Sequence, residues 1–183
     1  VSGFRIDMDV GGTLRYVDAL QDGCEVAVRP SAQAGAQVMY DEVQRNVNAL
    51  GKKTGNLAKS IYQVFSRDNS RPLRAEYHIS WNYKKAPHGH LVEFGHVQRY
   101  VTYIDKRGQW KTLVRPEMRG KPRPKRDAPL SVKDAYYVPL KGGPRLVGAK
   151  AFLRSAATPA NKRRAQNAMV DRWWWTLEQR GLL

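Results

Sequence analysis

The first elements come from the alternation of apolar and polar positions. Phe4, Ile6, Met8 and Val10 alternate with Arg5, Asp7 and Asp9, a period of two that predicts a half-buried strand. Gly11-Gly12 ends it, and Thr13 is placed to cap a short helix carrying Leu14, Val17 and Leu20. Ala36, Met39, Tyr40, Val43, Val47 and Leu50 then recur at helical spacing, the apolar stripe of a longer helix. Gly51 is suited to end that helix in the left-handed conformation. Pro30 either starts the helix or kinks it.

The middle of the chain reads as strands. Ile61–Phe65 is one, and Ala75, Tyr77, Ile79, Trp81 and Tyr83 alternate with polar residues to make the clearest. Tyr100–Ile104 and Gln109–Val114 flank Asp105-Lys106-Arg107-Gly108, which predicts a hairpin. Residues 115–134 hold Pro116, Pro122, Pro124 and Pro129 among few apolar residues, the composition of an extended or mobile loop. The apolar stretch Ala135–Leu140 precedes Gly142-Gly143-Pro144. A last helix has Thr158 as its cap, Pro159 in its first turn and Gly181 past its end, with Ala165, Met169, Trp173 and Leu177 facing a core. There is no internal repeat. These elements predict an α+β domain over residues 1–183: an antiparallel sheet packed by a long helix from the N-terminal half and a C-terminal helix. A hairpin and a basic Pro-rich loop are inserted at about 96–147.

At 183 residues the chain can bury a core without disulfides or metal, and Cys24, its single cysteine, leaves no partner for an intramolecular bridge or a cysteine zinc site. No run of about 18 apolar residues occurs, and VSGFRIDMDV lacks a basic end followed by an apolar block. A membrane span and a cleavable signal are therefore not expected. Charge changes the picture more. The chain carries 32 Lys and Arg against 16 acids, a net of +16, and the excess is local. Residues 1–50 hold 4 bases and 7 acids, whereas residues 96–150 hold 14 and 4. A basic middle on an acidic N-terminal part is a surface suited to a polyanion; solubility alone is the plainer alternative.

Candidate chemistry is sparse. Asp9-Val10-Gly11-Gly12-Thr13 imitates the first phosphate loop of actin-like sugar kinases, but those enzymes need two large domains, and a strand-ending Gly-Gly turn accounts for the residues without a ligand. His88, His90, Glu93 and His96 could ligate a metal, which on a basic protein would suggest a nuclease. Their spacing fits no helical ligand pair, and loop histidines beside a structural carboxylate are the simpler reading. No Gly-x-Ser-x-Gly elbow occurs, and Cys24 sits in a helical, apolar context, so no catalytic residue, cofactor or metal is expected. The basic segment is better defined: Lys111, Arg115, Arg119, Lys121, Arg123, Lys125 and Arg126 stand against the single acid Glu117. Such a segment suits phosphate contact with DNA or an acidic patch on a partner protein. Trp173-Trp174-Trp175 is unusual as well. Consecutive helical residues point about 100° apart, so the three cannot share one core face. At least some of them are expected at a subunit interface, or against a second element of the same chain.

Three segments, in order, carry a resemblance. Thr54-Gly55-Asn56-Leu57-Ala58-Lys59-Ser60-Ile61 follows the long helix, Ala86-Pro87-His88-Gly89-His90-Leu91-Val92-Glu93-Phe94-Gly95 follows the clearest strand, and Lys150-Ala151-Phe152-Leu153-Arg154-Ser155-Ala156 leads into the last helix. With the helices they cover residues 12–95 and 148–180. This arrangement resembles the tail-completion or neck protein family of long-tailed double-stranded DNA phages. That family shows a Thr-Gly-x-Leu-x-x-Ser-Ile block, a Val-Glu-x-Gly block and a Pro-Phe-x-Arg-Pro-Ala block. Ala151 and Ser155 stand where the family usually has prolines, and over fifty residues separate Gly95 from Ala151, where shorter members have a brief loop. The resemblance implies a structural subunit without enzymatic activity, assembled as a ring in the virion neck after synthesis in the host cytoplasm. Its implied neighbours are connector or stopper, tail-terminator or tail-tube proteins, with genomic DNA a further contact and no membrane. Thr54, Gly55, Leu57, Ser60, Glu93, Phe94, Gly95, Phe152 and Arg154 then read as structural motif residues. A small metal-dependent nuclease and a free nucleic-acid-binding module are the alternatives.

Overall fold

A computed structural model describes residues 9–51 and 55–183 of the chain. The strand expected from Phe4 to Val10 lies almost wholly outside the described residues; Asp9 and Val10 precede the first helix without strand structure. That helix, α1, runs unbroken from Gly11 to Ala49 with Pro30 inside it. The two helices expected from the apolar pattern are therefore one. A proline removes a single intrahelical bond, and burial on both sides of it outweighs that loss. Ser31 adds a bond beside the gap, its hydroxyl donating to the Ala27 carbonyl at 2.7 Å.

The described chain forms two compact units. The first holds the chain up to Arg45, Tyr62–Ser80 and Ala156–Leu183; the second holds Asn46–Ile61 and Trp81–Ser155. In the first unit α1 packs on α5, Pro159–Glu178. Gly23, Ala27, Ser31 and Gly35 are buried at four-residue spacing, one ridge of the helix surface. The small residues permit close approach. A Cβ on Gly23 would stand 2.3 Å from Leu182 Cδ1, and one on Gly35 would stand 2.5 Å from Met169 Cγ and 3.1 Å from the Ala165 carbonyl oxygen. Ala27, Leu177 and Leu182 form the core cluster, with Leu20 and Trp173 packed against it. α5 starts as its sequence indicates: the Asn161 N–H donates to Thr158 Oγ1 at 3.2 Å, and Pro159 occupies the first turn. Strands β1, Ile61–Phe65, and β2, Tyr77–Trp81, pair as an antiparallel hairpin, with Ser66 N–H donating to the Glu76 carbonyl at 2.9 Å.

The second unit is built from short pieces. α2 is Asn56–Ser60 and α3 is Gly89–Phe94. β3, His96–Gln98, pairs antiparallel with β6, Arg145–Val147, placing Val97 opposite Leu146. β4, Thr102–Ile104, pairs with β5, Trp110–Thr112, in the expected hairpin. Asp105 Oδ1 closes its turn by accepting the N–H groups of Arg107 and Gln109, each at 2.9 Å. Among the described residues the strands thus form three two-stranded ribbons where one sheet was expected. Residues 115–134 also differ from the extended loop expected of them. Pro116–Met118 make a 3-10 turn, and Leu130–Tyr136 form a helix, α4. No residue of α4 is buried, so burial periodicity could not reveal it. Polar bonds hold it, among them the Tyr100 hydroxyl donating to Asp134 Oδ1 at 2.8 Å. No described helix is long and apolar enough to cross a membrane.

Candidate functional site

The motif residues meet in the second unit. Glu93, 1% exposed near the end of α3, has both carboxylate oxygens engaged. Oε2 accepts the Leu153 N–H at 2.9 Å, and Oε1 accepts the Arg154 N–H at 3.1 Å and Arg154 Nε at 3.0 Å. The guanidinium also donates to the Glu93 carbonyl at 3.0 Å and lies 4.8 Å above the Phe94 ring. A buried carboxylate without such partners would cost several kcal/mol. With them it locks two segments sixty positions apart in the chain. Gly95 turns the chain out of α3 at φ 76°, ψ 170°, and a Cβ there would stand 2.7 Å from the Val147 carbonyl oxygen and 2.8 Å from the Ala149 nitrogen.

Phe152 is fully buried, edge-on to Trp81 with centroids 5.8 Å apart, and Asn46 Nδ2 donates to its carbonyl at 3.1 Å. The two departures from the family pattern fit this backbone. Ala151 sits at φ 46°, which proline cannot adopt, and the Ser155 N–H, which proline lacks, donates to the Ala151 carbonyl at 2.7 Å. The Thr-Gly block supplies a turn: Gly55 has φ 72°, and Ser60, buried, donates its hydroxyl to the Leu57 carbonyl at 2.7 Å. Leu57, Val47, Leu91 and Val92 line a cavity of about 360 Å³ beside it. Thr54 lies outside the described residues.

The histidines near Glu93 are not drawn into a ligand set. Among the described residues no three His, Cys, Asp or Glu side chains gather to hold a metal. His96 Nδ1 lies 3.5 Å from the Leu91 carbonyl oxygen, and burial, then the neighbouring His90, lowers the His88 pKa.

The seven cations of residues 111–126 divide by what they touch. Lys111 Nζ pairs with Asp105 Oδ2 at 2.8 Å in the hairpin; this hydrogen bond holds the carboxyl below its usual range and raises the lysine. Arg115 Nε donates to the carbonyls of Asp134 and Tyr137 at 3.1 and 3.2 Å, and Arg123 Nε donates to the Tyr137 hydroxyl at 2.8 Å. The backbone is tied down too, with the Tyr136 hydroxyl donating to the Lys121 carbonyl and Lys133 Nζ to the Arg126 carbonyl, at 3.0 and 2.7 Å. Arg119, Lys121, Lys125 and Arg126 are exposed. Lys111 and Arg123 are exposed as well, so six of the seven face solvent, and the side chains of Arg119, Lys121, Lys125 and Arg126 have no partner among the described residues.

The three tryptophans also divide. Trp173 packs against the core cluster of the first unit. Trp174, 50% exposed, lines an open groove with Val28, Leu73, Met169 and Val170. Trp175, 47% exposed, has the Arg172 guanidinium 4.2 Å from its ring centre. The groove has no periodic signal in the sequence, because its lining is drawn from α1, α5 and the turn between β1 and β2.

Residues 12–95 match the model of a family described as "Bacteriophage HK97-gp10, putative tail-component". No curated protein and no solved structure matches the chain. The matched segment runs from α1 through Glu93 and Gly95, so two of the three blocks that carried the resemblance lie inside it. Residues 12–95 are thus similar to a family of phage tail components, in keeping with the resemblance read from the sequence blocks.

Proposed function

We propose that this protein is a structural, non-catalytic subunit of a phage head–tail junction, one that assembles into a ring and joins or completes the tail. One observation carries the reading. The residues with the strongest chemical character, Glu93 and Arg154, are spent on joining two chain segments, which is the work of a scaffold. The second unit exposes Arg119, Lys121, Lys125 and Arg126, and the first exposes Trp174 and Trp175. Repetition in a ring would turn a weakly basic segment into a strongly positive annulus, and aromatic side chains are common interface anchors. The neighbours in this reading are connector or stopper, tail-terminator or tail-tube proteins, with DNA in the channel or an acidic neighbour facing residues 111–126. The site of action is the virion neck, after assembly in the host cytoplasm.

Copy number and sizing test the reading. The isolated protein is expected to sediment as a monomer or small oligomer, to form a ring with connector or tail-tube proteins, and to occur in several copies per virion at the neck. Absence from purified virions would overturn it. Replacing Arg119, Lys121, Lys125 and Arg126 by Gln, with Arg115 and Arg123 kept to anchor the basic segment, identifies what faces it. Particles that join but lose DNA point to phosphate contact, which salt should weaken steeply. Particles that fail to join point to an acidic protein partner, and unimpaired joining with full DNA retention would reduce the segment to a solvated surface.

A further inference from the structure

The first unit offers two surfaces of opposite chemistry. One is the open groove of about 460 Å³ whose apolar lining includes Val28 and Ala32 from α1, Met169, Val170 and Trp174 from α5, and Leu73 from the turn between β1 and β2. Leu73 is held at φ 59° and is 57% exposed. Non-glycine residues adopt that region at a cost of order 1 kcal/mol, and such strain persists where the surrounding structure imposes it. Here Arg71 and Arg74 exchange both backbone hydrogen bonds at 2.9 Å and fix the turn that presents the leucine. The adjoining surface carries Arg29, Arg67, Arg71 and Arg74 against one acid, Glu25. Arg29 covers the Phe65 ring and Arg74 pairs with Glu76, while the side chains of Arg67 and Arg71 have no partner among the described residues.

The second surface is the start of α1. Tyr16 and Leu20 turn toward the core cluster, the Tyr16 hydroxyl donating to the Leu182 carbonyl at 3.1 Å. The surface of the helix beside them carries Leu14 and Val17, 59% and 52% exposed, together with exposed Arg15, Asp18 and Asp22. It combines large apolar groups with net negative charge, the complement of an apolar groove flanked by arginines.

We propose that the first turns of α1 in one copy dock on the groove of the next copy, Leu14 and Val17 meeting the apolar lining and Asp18 and Asp22 facing Arg67 and Arg71. The two surfaces are different patches of one chain, so the contact is head-to-tail, the kind that closes rings when its rotation allows. This inference rests on the ring reading above and specifies its interface.

A charge swap tests it in assembled particles. One variant carries Arg67→Glu and Arg71→Glu, a second carries Asp18→Lys and Asp22→Lys, and a third carries all four; unchanged melting temperatures confirm that each is folded. Each one-sided variant is expected to fall at least about tenfold in copies per particle, because like charges then face each other across the contact. The four-fold variant should recover incorporation, since every contact is again between opposite charges, and an equal mixture of the two one-sided variants should recover it through copies that alternate. Wild-type incorporation of both one-sided variants, with several copies retained per particle, would overturn this interface and leave the ring standing. Loss that neither the four-fold variant nor the mixture restores would assign the surfaces to a different partner and overturn the contact between copies. A single wild-type copy per particle would remove the ring and this interface with it.

Discussion

Gly95 shows how much one position can decide. Its φ of 76° with ψ of 170° lies in a region used almost only by glycine, and the backbone of residues 147–149 closes on the space a side chain would need. Gly95→Ala is expected to destabilise the protein by about 2–4 kcal/mol, since neither a carbonyl oxygen nor an amide nitrogen can step aside as a flexible side chain would. Urea denaturation measures it, and a loss below about 0.5 kcal/mol would mean the turn has another conformation available. The neighbouring Glu93 was legible in the sequence as part of a Val-Glu-x-Gly block, and its structural reading needed only the resemblance. Its partners Leu153 and Arg154 are sixty positions away, and no periodicity connects them.

Among the elements, α5 was the most legible and α4 the least. Thr158, Pro159 and Gly181 mark the limits of α5 through local backbone chemistry, which acts whatever the rest of the fold does. α4 buries none of its residues and is held by side-chain bonds to Tyr100 and Arg115, so its sequence shows only prolines followed by a mixed stretch. α5 also bears the two exposed tryptophans. Trp174→Ala with Trp175→Ala is expected to shift the melting temperature by no more than about 4 °C, because about half of each side chain already faces solvent. The same pair should abolish incorporation into particles if each anchors an interface with about 2 kcal/mol or more. Thermal melting and the protein content of purified virions check the two halves. A double variant that unfolds would return both rings to the core.

For the whole molecule, the chain crosses between its two units four times, after Arg45, Ile61, Ser80 and Ser155. Neither unit is a continuous stretch that could form by itself, and α1, β1 and β2 each contribute residues to both. Unfolding is therefore expected as one cooperative transition, in keeping with a single folding domain. Tryptophan fluorescence reports both units, through Trp173–Trp175 in one and Trp81 and Trp110 in the other, and far-ultraviolet circular dichroism follows the helices. Coincident transitions by the two probes would support one domain; separate transitions would divide it.

The features readable along the chain are those that act between near neighbours: the caps of α5, the left-handed glycine after α1, the Asp105–Gly108 turn and the period-two strand over 77–81. The net charge and the family blocks are likewise properties of residue order. Long-range packing settled the rest. α1 continues through Pro30 because Gly23, Ala27, Ser31 and Gly35 are buried on both sides of it, and small residues leave no apolar signature to read in advance. The cations of residues 111–126 look equivalent in sequence, yet Lys111, Arg115 and Arg123 are engaged by groups in the hairpin and around α4, and the side chains of the others have no partner among the described residues. Composition sets how much charge a segment carries, whereas the distribution of acceptors in space sets how much of it is left for a partner.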